Sequence, residues 1–151
     1  MDSTFIMILL LSFVPMIESR YALPMVITFG YDPLISYFVA TIATILLSLI
    51  LSHTLWMLDR IARKLPHISR LWTYYIDSAR ERVKLYINKY GASGLILFVA
   101  IPLPGTGVWT GSIAGYVLGI PPQKLASYTA IGGIIANTIA VLSVFSVYQL
   151  I

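Results

Sequence analysis

An acid and a base lie close together inside an apolar stretch near the start of the chain. Glu18 and Arg20 are flanked by residues 5–14 and 25–29, which are nearly all large and apolar. A carboxylate sheltered from water can bind and release a proton, and a guanidinium can hold an anion through two parallel hydrogen bonds. Glu18 is therefore the leading candidate for a functional residue, with Arg20 as its partner or as an anion-binding group. The alternative is a structural ion pair that only holds the backbone in place.

Prolines bracket this polar stretch at Pro15 and Pro24. At the centre of a membrane helix each Glu or Arg costs about 2.5–3.5 kcal/mol, whereas each Leu, Ile, Phe or Val contributes only about −0.3 to −0.6 kcal/mol. An internal proline adds about 3 kcal/mol, because it removes a hydrogen bond and crowds the preceding turn. The sequence therefore predicts a polar tip at which the helix breaks at Pro15, with Glu18 and Arg20 facing protein or a wet cavity.

A second break is predicted in the other half of the chain. Its residues are Pro102, Leu103, Pro104, Gly105, Thr106 and Gly107. Two prolines and two glycines so close together make a continuous helix unfavourable. Gly105 and Gly107 permit close approach of the backbone, and the hydroxyls of Thr106 and Thr110 offer oxygen atoms to a polar ligand group. Trp109 either covers an apolar ligand or fills space in the protein.

The composition is that of a membrane protein. Of the 151 residues, 58% are hydrophobic and only 11% are charged, which is too apolar for an ordinary soluble domain. Residues 34–58 and 125–151 contain no charge, and each run exceeds the roughly 20 apolar residues that cross a bilayer. Asn137, inside the second run, is expected to bond a neighbouring helix rather than a ligand. The chain has no cysteine, which excludes disulfides and thiolate chemistry.

A stripe of small hydroxylated side chains marks one face of the first uncharged run. Its members recur at three- and four-residue spacing: Thr41, Thr44, Ser48 and Ser52. Such a stripe forms either a seam where two helices pack closely or a path for a substrate, and the packing seam is the favoured interpretation.

The basic residues are concentrated between the two halves, in residues 59–90. Arg20 and Lys124 are the only arginine and lysine outside this connector. The positive-inside rule places the connector in the cytoplasm. Apolar residues recur in it with helical period, which predicts an amphipathic helix on the membrane surface. Nucleic-acid binding is the rival interpretation, but the position between two membrane segments argues against a nucleic-acid partner.

The two halves, residues 1–58 and 91–151, share one plan. Each has an apolar arm, a proline-containing break, a second arm, a glycine-to-proline junction and a long uncharged span. An arm of about 11 residues is about 16 Å long, half of a roughly 30 Å hydrocarbon core. We therefore predict one all-α membrane domain with two inverted units, each a re-entrant hairpin plus one transmembrane helix, joined by the connector. Both termini would lie outside, and Asp32 would cap a helix that begins at Pro33.

The chain resembles the small multidrug export protein family in two motifs. These are Pro-Met-Ile-Glu-Ser-Arg-Tyr-Ala-Leu-Pro at residues 15–24 and Pro-Leu-Pro-Gly-Thr-Gly-Val-Trp-Thr-Gly at residues 102–111. The order of the motifs, the length and the intervening spans agree as well. The chain is more distantly similar to the DedA (SNARE-associated, VTT) superfamily, whose members carry two facing re-entrant units and move lipids or lipid carriers. That superfamily has an arginine at its second tip, whereas both charges here lie at the first.

The main hypothesis is a small protein of the cell membrane that exports a lipophilic or amphiphilic molecule, coupled to protonation of Glu18. No cofactor, metal ion or enzymatic activity is expected, because the chain shows no Ser/His/Asp set and His53 and His67 stand apart. Two spans make thin walls for a pathway, so we expect a homo-oligomer surrounded by lipid. Lipid or lipid-carrier translocation of the DedA type and a non-transport membrane scaffold are the alternatives.

Overall fold

The computed structural model describes residues 6, 10–14, 17–64, 73–74, 91, 93–101 and 106–148. Its main helices are α1, Glu18–Thr28; α2, Pro33–Ala62; α3, residues 93–100; α4, Val108–Val117; and α5, Pro122–Tyr148. All regular secondary structure in these residues is helical. The predicted all-α class is therefore confirmed for this part of the chain.

The junction between α1 and α2 follows the predicted punctuation. Gly30 has a φ of 89°, in the left-handed region that glycine adopts without strain, and its N–H donates to the carbonyl of Ile27 at 3.0 Å. Pro33 is the first residue of α2, and the Asp32 carboxylate accepts the N–H of Ile35 at 2.8 Å. The predicted helix cap at Asp32 is confirmed.

α2 runs one turn further than predicted. It ends at Ala62, and Asp59 and Arg63 form an ion pair of 2.8 Å across its last turn. An acid four residues before a base favours continuation of a helix, so the connector begins after residue 62 and not at residue 59 as predicted. Beyond residue 64 the predicted amphipathic connector lies outside the described residues, except for positions 73 and 74, and His67 lies outside them too.

Two long helices form the centre of the fold. α2 and α5 have 30 and 27 residues. At 1.5 Å per residue they are about 45 and 40 Å long, against about 30 Å of bilayer hydrocarbon. Both are apolar enough over a membrane-length window to cross a bilayer. They make the largest helix interface in the described part, and the short helices α1 and α4 each pack against both of them.

The outer faces of the long helices are apolar, whereas the surfaces they bury carry small and polar residues. Large exposed side chains recur at three- and four-residue spacing on α5: Ile131, Ile135, Ile139 and Leu142. The buried residues of α2 include Ala43, Thr44, Ser48 and Ser52. A helix at a water-exposed surface shows the opposite arrangement, so these exposed apolar faces indicate contact with lipid.

The order of elements occurs twice: a short helix, a left-handed glycine, and a long helix that begins with proline. α1 has 11 residues and leads through Gly30 to Pro33. α4 has 10 residues and leads through Gly119, whose φ is 75°, to Pro122. Both short helices have the half-length predicted for the second arm of each unit. The inverted, re-entrant placement of the two units in the membrane stays a prediction.

Pro24 lies inside α1 and does not bound a polar tip, so that prediction is wrong. The helix continues through Pro24 to Thr28. Pro24 cannot donate a hydrogen bond to the carbonyl of Arg20, but the buried neighbours Leu23 and Val26 hold the helix against the rest of the protein. The other three prolines and one of the two glycines predicted at the tips lie outside the described residues: Pro15, Pro102, Pro104 and Gly105.

Candidate functional site

Glu18 caps the start of α4, across the fold from its own helix. Its Oε2 accepts the backbone N–H of Val108 at 3.1 Å, and its Oε1 accepts that of Trp109 at 3.1 Å. These amides belong to the first turn of α4, where N–H groups have no partner within the helix. The first turn also carries the positive end of the helix dipole, so the carboxylate lies where a negative charge is stabilised.

The backbone of Glu18 is held in an uncommon conformation. Its φ of 49° lies in the left-handed region, which costs a residue with a side chain about 1–2 kcal/mol. Glu18 is the first residue of α1, and its N–H donates to the carbonyl of Val14 at 3.2 Å. The conformation thus occurs where the chain turns into α1 and presents its carboxylate to α4.

Arg20 binds groups on the α3 side of the break between α3 and α4. Its Nη1 donates to the carbonyl of Ile101 at 3.3 Å and to the hydroxyl of Thr106 at 3.0 Å, while its Nη2 lies 3.6 Å from Glu18 Oε2. The Thr106 hydroxyl in turn donates to the Ile101 carbonyl at 2.6 Å. Ile101 directly follows α3, whose carboxyl end carries the negative part of its dipole. The acid and base therefore bind the two helix ends that face each other across the break.

Both charged side chains are almost completely buried. Glu18 is 5% exposed and Arg20 is 4% exposed. An isolated buried pair gains little over two apolar residues, because desolvation offsets its attraction. Here backbone amides and carbonyls add hydrogen bonds to both charges, and the ring of Tyr21 lies 5.4 Å from the guanidinium carbon.

Gly107 has no side chain, and the charged groups of Glu18 and Arg20 occupy the space that a Cβ would fill. It precedes α4 with a φ of 137°, and a Cβ built there would overlap Nη2 of Arg20 and Oε2 of Glu18. Any side chain at this position would displace the charged groups and strain the backbone. Gly105 and Gly107 were both predicted to permit close approach. Gly107 is the one of the two that lies among the described residues, and it does so at the site.

A polar network beside the pair ties three helices together. The hydroxyls of Ser19 on α1 and Thr44 on α2 lie 2.6 Å apart. Asn137 on α5 accepts from Ser19 at 3.0 Å and donates to Thr44 at 3.0 Å. All three residues are buried. Asn137 therefore makes the interhelical bonds expected from its position, and Ser19 and Thr44 are site residues that sequence reasoning missed.

The sequence indicated Ser19 and Thr44 only weakly as site residues. Ser19 stands between Glu18 and Arg20, and Thr44 belongs to the hydroxylated stripe that was interpreted as a packing seam. That stripe does pack against the other helices, and Ser48 and Ser52 are fully buried. Their hydroxyls, like that of Ser112 on α4, have no hydrogen-bond partner among the described residues.

Trp109 and Thr110 contribute less to the site than predicted. Trp109 supplies its backbone amide to Glu18, whereas its indole N–H donates to the carbonyl of Phe13 at 3.2 Å and its ring packs against the buried cluster that includes Leu47. The Thr110 hydroxyl bonds the Gly107 carbonyl at 3.4 Å, within the first turn of its own helix. The side chain of Trp109 therefore fills space, which was one of its two interpretations.

A known protein family matches most of the chain. The family model, described as "Putative small multi-drug export protein", matches residues 18–139. The chain belongs to this family. The matched range begins at Glu18 and includes Arg20, Thr106, Gly107 and Asn137. No curated protein and no solved structure matches the chain.

Membership of the small multidrug export family agrees with the architecture. Export requires a protein embedded in a membrane, and α2 and α5 are long and apolar enough to cross one. The description of the matching family is that of an export protein. The predicted family is therefore confirmed, and the two apolar helices together with the family indicate a membrane protein.

Proposed function

We propose that the protein exports a lipophilic or amphiphilic molecule across the cell membrane and couples this movement to protonation of Glu18. One observation carries the proposal: a buried carboxylate and guanidinium hold the facing ends of a broken helical segment. Ionisable groups inside a membrane protein are costly, and they mark proton or substrate pathways. A broken helix pair offers an element that can adopt two arrangements.

Protonation of Glu18 would change the contacts that hold the break. Hydrogen bonds to a charged acceptor are about twice as strong as neutral ones, so a neutral Glu18 binds the amides of Val108 and Trp109 less tightly. Arg20 would lose its counter-charge at the same time. The start of α4 would then be freer to move, and loss of the proton would restore the original contacts. A substrate that binds the two arrangements with different affinity would be coupled to the proton.

The position of the site along the long helices supports this mechanism. Thr44 lies about 17 Å from the first residue of α2, and Asn137 lies about 17 Å from the last residue of α5, at 1.5 Å of rise per residue. Half of a roughly 30 Å hydrocarbon core is about 15 Å, so the pair and its polar network would lie near mid-depth. Ser48 and Ser52 continue the polar side chains from Thr44 along α2, which supplies hydroxyls for a proton path towards the connector.

The change of Glu18 to Gln tests the proposal. Glu18→Gln keeps the size of the side chain and one of the two oxygens that accept amide hydrogen bonds but removes the acidic group, so we expect loss of proton-coupled export with retention of the fold. The measurement is efflux of cationic, neutral and anionic fluorescent amphiphiles from proteoliposomes under a pH gradient, with trapped pyranine reporting proton movement. Thermal melting followed by circular dichroism checks the fold.

Asp59→Asn is the matched control, because it makes the same acid-to-amide change in the last turn of α2, away from the site. Export by Asp59→Asn should equal that of the unaltered protein. Undiminished proton-coupled export by Glu18→Gln would show that Glu18 is only structural.

Lipid translocation has less support in the geometry. That alternative assigns Arg20 to phosphate head groups, but its Nη1 and Nη2 already meet Ile101, Thr106 and Glu18. Protein-dependent flip-flop of fluorescently labelled phospholipids in the same proteoliposomes would favour it over export of small molecules. The scaffold alternative depends on the connector, most of which lies outside the described residues.

The proposal includes self-association within the membrane. Two membrane-length helices enclose little space by themselves, and both expose long apolar faces beyond the helices that cover them. A homo-oligomer would supply the remaining walls of a pathway. Lipids would surround the assembly.

A further inference from the structure

A cavity separate from the Glu18 site lies between the beginning of α2 and the second half of α5. Its volume is about 660 Å³. The residues that line it are Asp32, Pro33, Leu34, Tyr37, Thr138, Val141, Leu142 and Phe145. Leu34, Leu142 and Phe145 are also exposed on the outer surface, so the cavity opens sideways to the region where lipid would lie.

The cavity has one charged group and apolar walls. Asp32 is the only charged side chain among the lining residues. One of its oxygens, Oδ1, accepts the N–H of Ile35, and the side chain remains exposed. The other polar feature is the pair of hydroxyls of Tyr37 and Thr138, which lie 2.9 Å apart and satisfy each other on the wall.

We propose that this cavity binds a lipophilic organic cation. Its volume lies within the roughly 300–1,000 Å³ of small-molecule sites, and such sites combine apolar walls with a few polar groups. The Asp32 carboxylate attracts a cation and repels anionic lipids, and the lining includes two aromatic residues, Tyr37 and Phe145, of the kind that bind a positive charge. The negative charge of the lining thus favours a cationic ligand over an anionic one.

The cavity is connected to the helix that carries Glu18. Tyr37 and Val141, two of its lining residues, pack against a buried cluster that includes Leu23 and Ile27 of α1. A ligand that fills the cavity would therefore press on side chains that position α1. Binding of the cation to this cavity requires no transport. Only the further step, in which the bound cation is exported as the substrate, rests on the proposed function.

Binding of two ions of the same shape and opposite charge tests the inference. The probes are tetraphenylphosphonium and tetraphenylborate, measured by equilibrium dialysis on the protein in nanodiscs of zwitterionic lipid, with empty nanodiscs subtracted. We expect saturable binding of tetraphenylphosphonium and no saturable binding of tetraphenylborate. Equal saturable binding of both ions would overturn the inference, because it would describe an apolar groove without charge selection.

Two substitutions locate the bound cation. Asp32→Asn removes the charge, yet its amide oxygen still caps α2, and asparagine is as favourable a cap as aspartate. We expect it to weaken tetraphenylphosphonium binding at least about tenfold, equivalent to about 1.4 kcal/mol. Leu142→Trp would fill the cavity and weaken binding similarly. Ile131→Trp adds the same bulk to an exposed position of α5 outside the lining and should leave binding unchanged.

Other outcomes separate this inference from the proposed function. Unchanged tetraphenylphosphonium binding in Asp32→Asn and Leu142→Trp would place any site elsewhere and overturn the inference, whatever the export assay shows. Saturable binding that both substitutions weaken would support the inference even where proteoliposomes show no proton-coupled export, and in that case only the proposed function would fail.

Discussion

Glu18 and Arg20 each bind backbone groups as well as each other, and this explains how two charges persist in an apolar protein. The carboxylate meets two amides at the start of α4, and the guanidinium meets the carbonyl that follows α3. Both helix ends carry partial charges of the sign that each side chain needs. The same contacts make the break sensitive to the charge of one carboxylate, which is the property that a proton-coupled transporter uses.

Gly107 provides a prediction at the scale of single residues. Gly107→Ala should abolish export, because its methyl group would displace Glu18 and Arg20. The matched control is Gly30→Ala, since Gly30 also has a positive φ, of 89°, but a Cβ there would meet nothing within 4 Å. Both variants should lose stability through backbone strain, measured as a lower melting temperature, yet only Gly107→Ala should stop proton-coupled efflux. Equal efflux from the two variants would contradict the proposed role of this space.

At the scale of elements, polar contacts attach the short helices to the long ones. α1 contains a proline and two charged residues, so its position depends on what it packs against. Ser19, Thr44 and Asn137 join α1, α2 and α5 at one point, with three mutual contacts of 2.6–3.0 Å. Inside an apolar protein such a closed network is favourable only when every member is bonded, and it then specifies one arrangement of the helices.

Asn137 is the member of this network whose loss should be most visible. Asn137→Ala removes both bonds to the other helices and should lower the free energy of unfolding by about 1–3 kcal/mol. The measurement is unfolding in mixed detergent micelles with increasing SDS, followed by circular dichroism. Ser146→Ala on α5 is the control, because the Ser146 hydroxyl bonds only within its own helix, to Leu142. If Asn137→Ala lowers the free energy of unfolding no more than Ser146→Ala does, the network does not hold the helices together.

At the scale of the whole molecule, a short helix followed by a long one occurs twice. Glu18 precedes Gly30 by as many residues as Gly107 precedes Gly119, and all four have a positive φ. At the equivalent positions Glu18 and Gly107, the first half supplies charged side chains, and the second half supplies the backbone groups that bind them. The two units are thus alike in backbone and complementary in chemistry, as two halves that meet at one site would be.

The orientation of the two units leads to a prediction for the whole chain. With re-entrant units, a reporter fused after Ile151 should lie outside the cell, while one inserted in the predicted connector should lie in the cytoplasm. Paired phosphatase and fluorescent-protein fusions measure both positions, since the phosphatase is active only outside and the fluorescent protein only inside. A cytoplasmic C-terminal reporter would support four full spans and reject the re-entrant arrangement.

The local features of this protein followed from its sequence. The long apolar helices Pro33–Ala62 and Pro122–Tyr148 were predictable, because residues 34–58 and 125–151 lack charge and each run is long enough to cross the hydrocarbon core. The cap at Asp32 was predictable because it depends only on neighbouring residues. The family followed from two motifs, and its model indeed matches residues 18–139.

Contacts between distant parts of the chain required the tertiary structure. The carboxylate of Glu18 meets backbone amides about 90 positions later in the chain, and this contact depends on how α1 and α4 pack against the two long helices. The same packing selected Thr44 from a stripe of similar hydroxyls and formed the cavity beside Asp32. Local sequence sets the hydrophobicity and the backbone preferences of each segment, but the position of one polar atom opposite another depends on the crossing of whole helices.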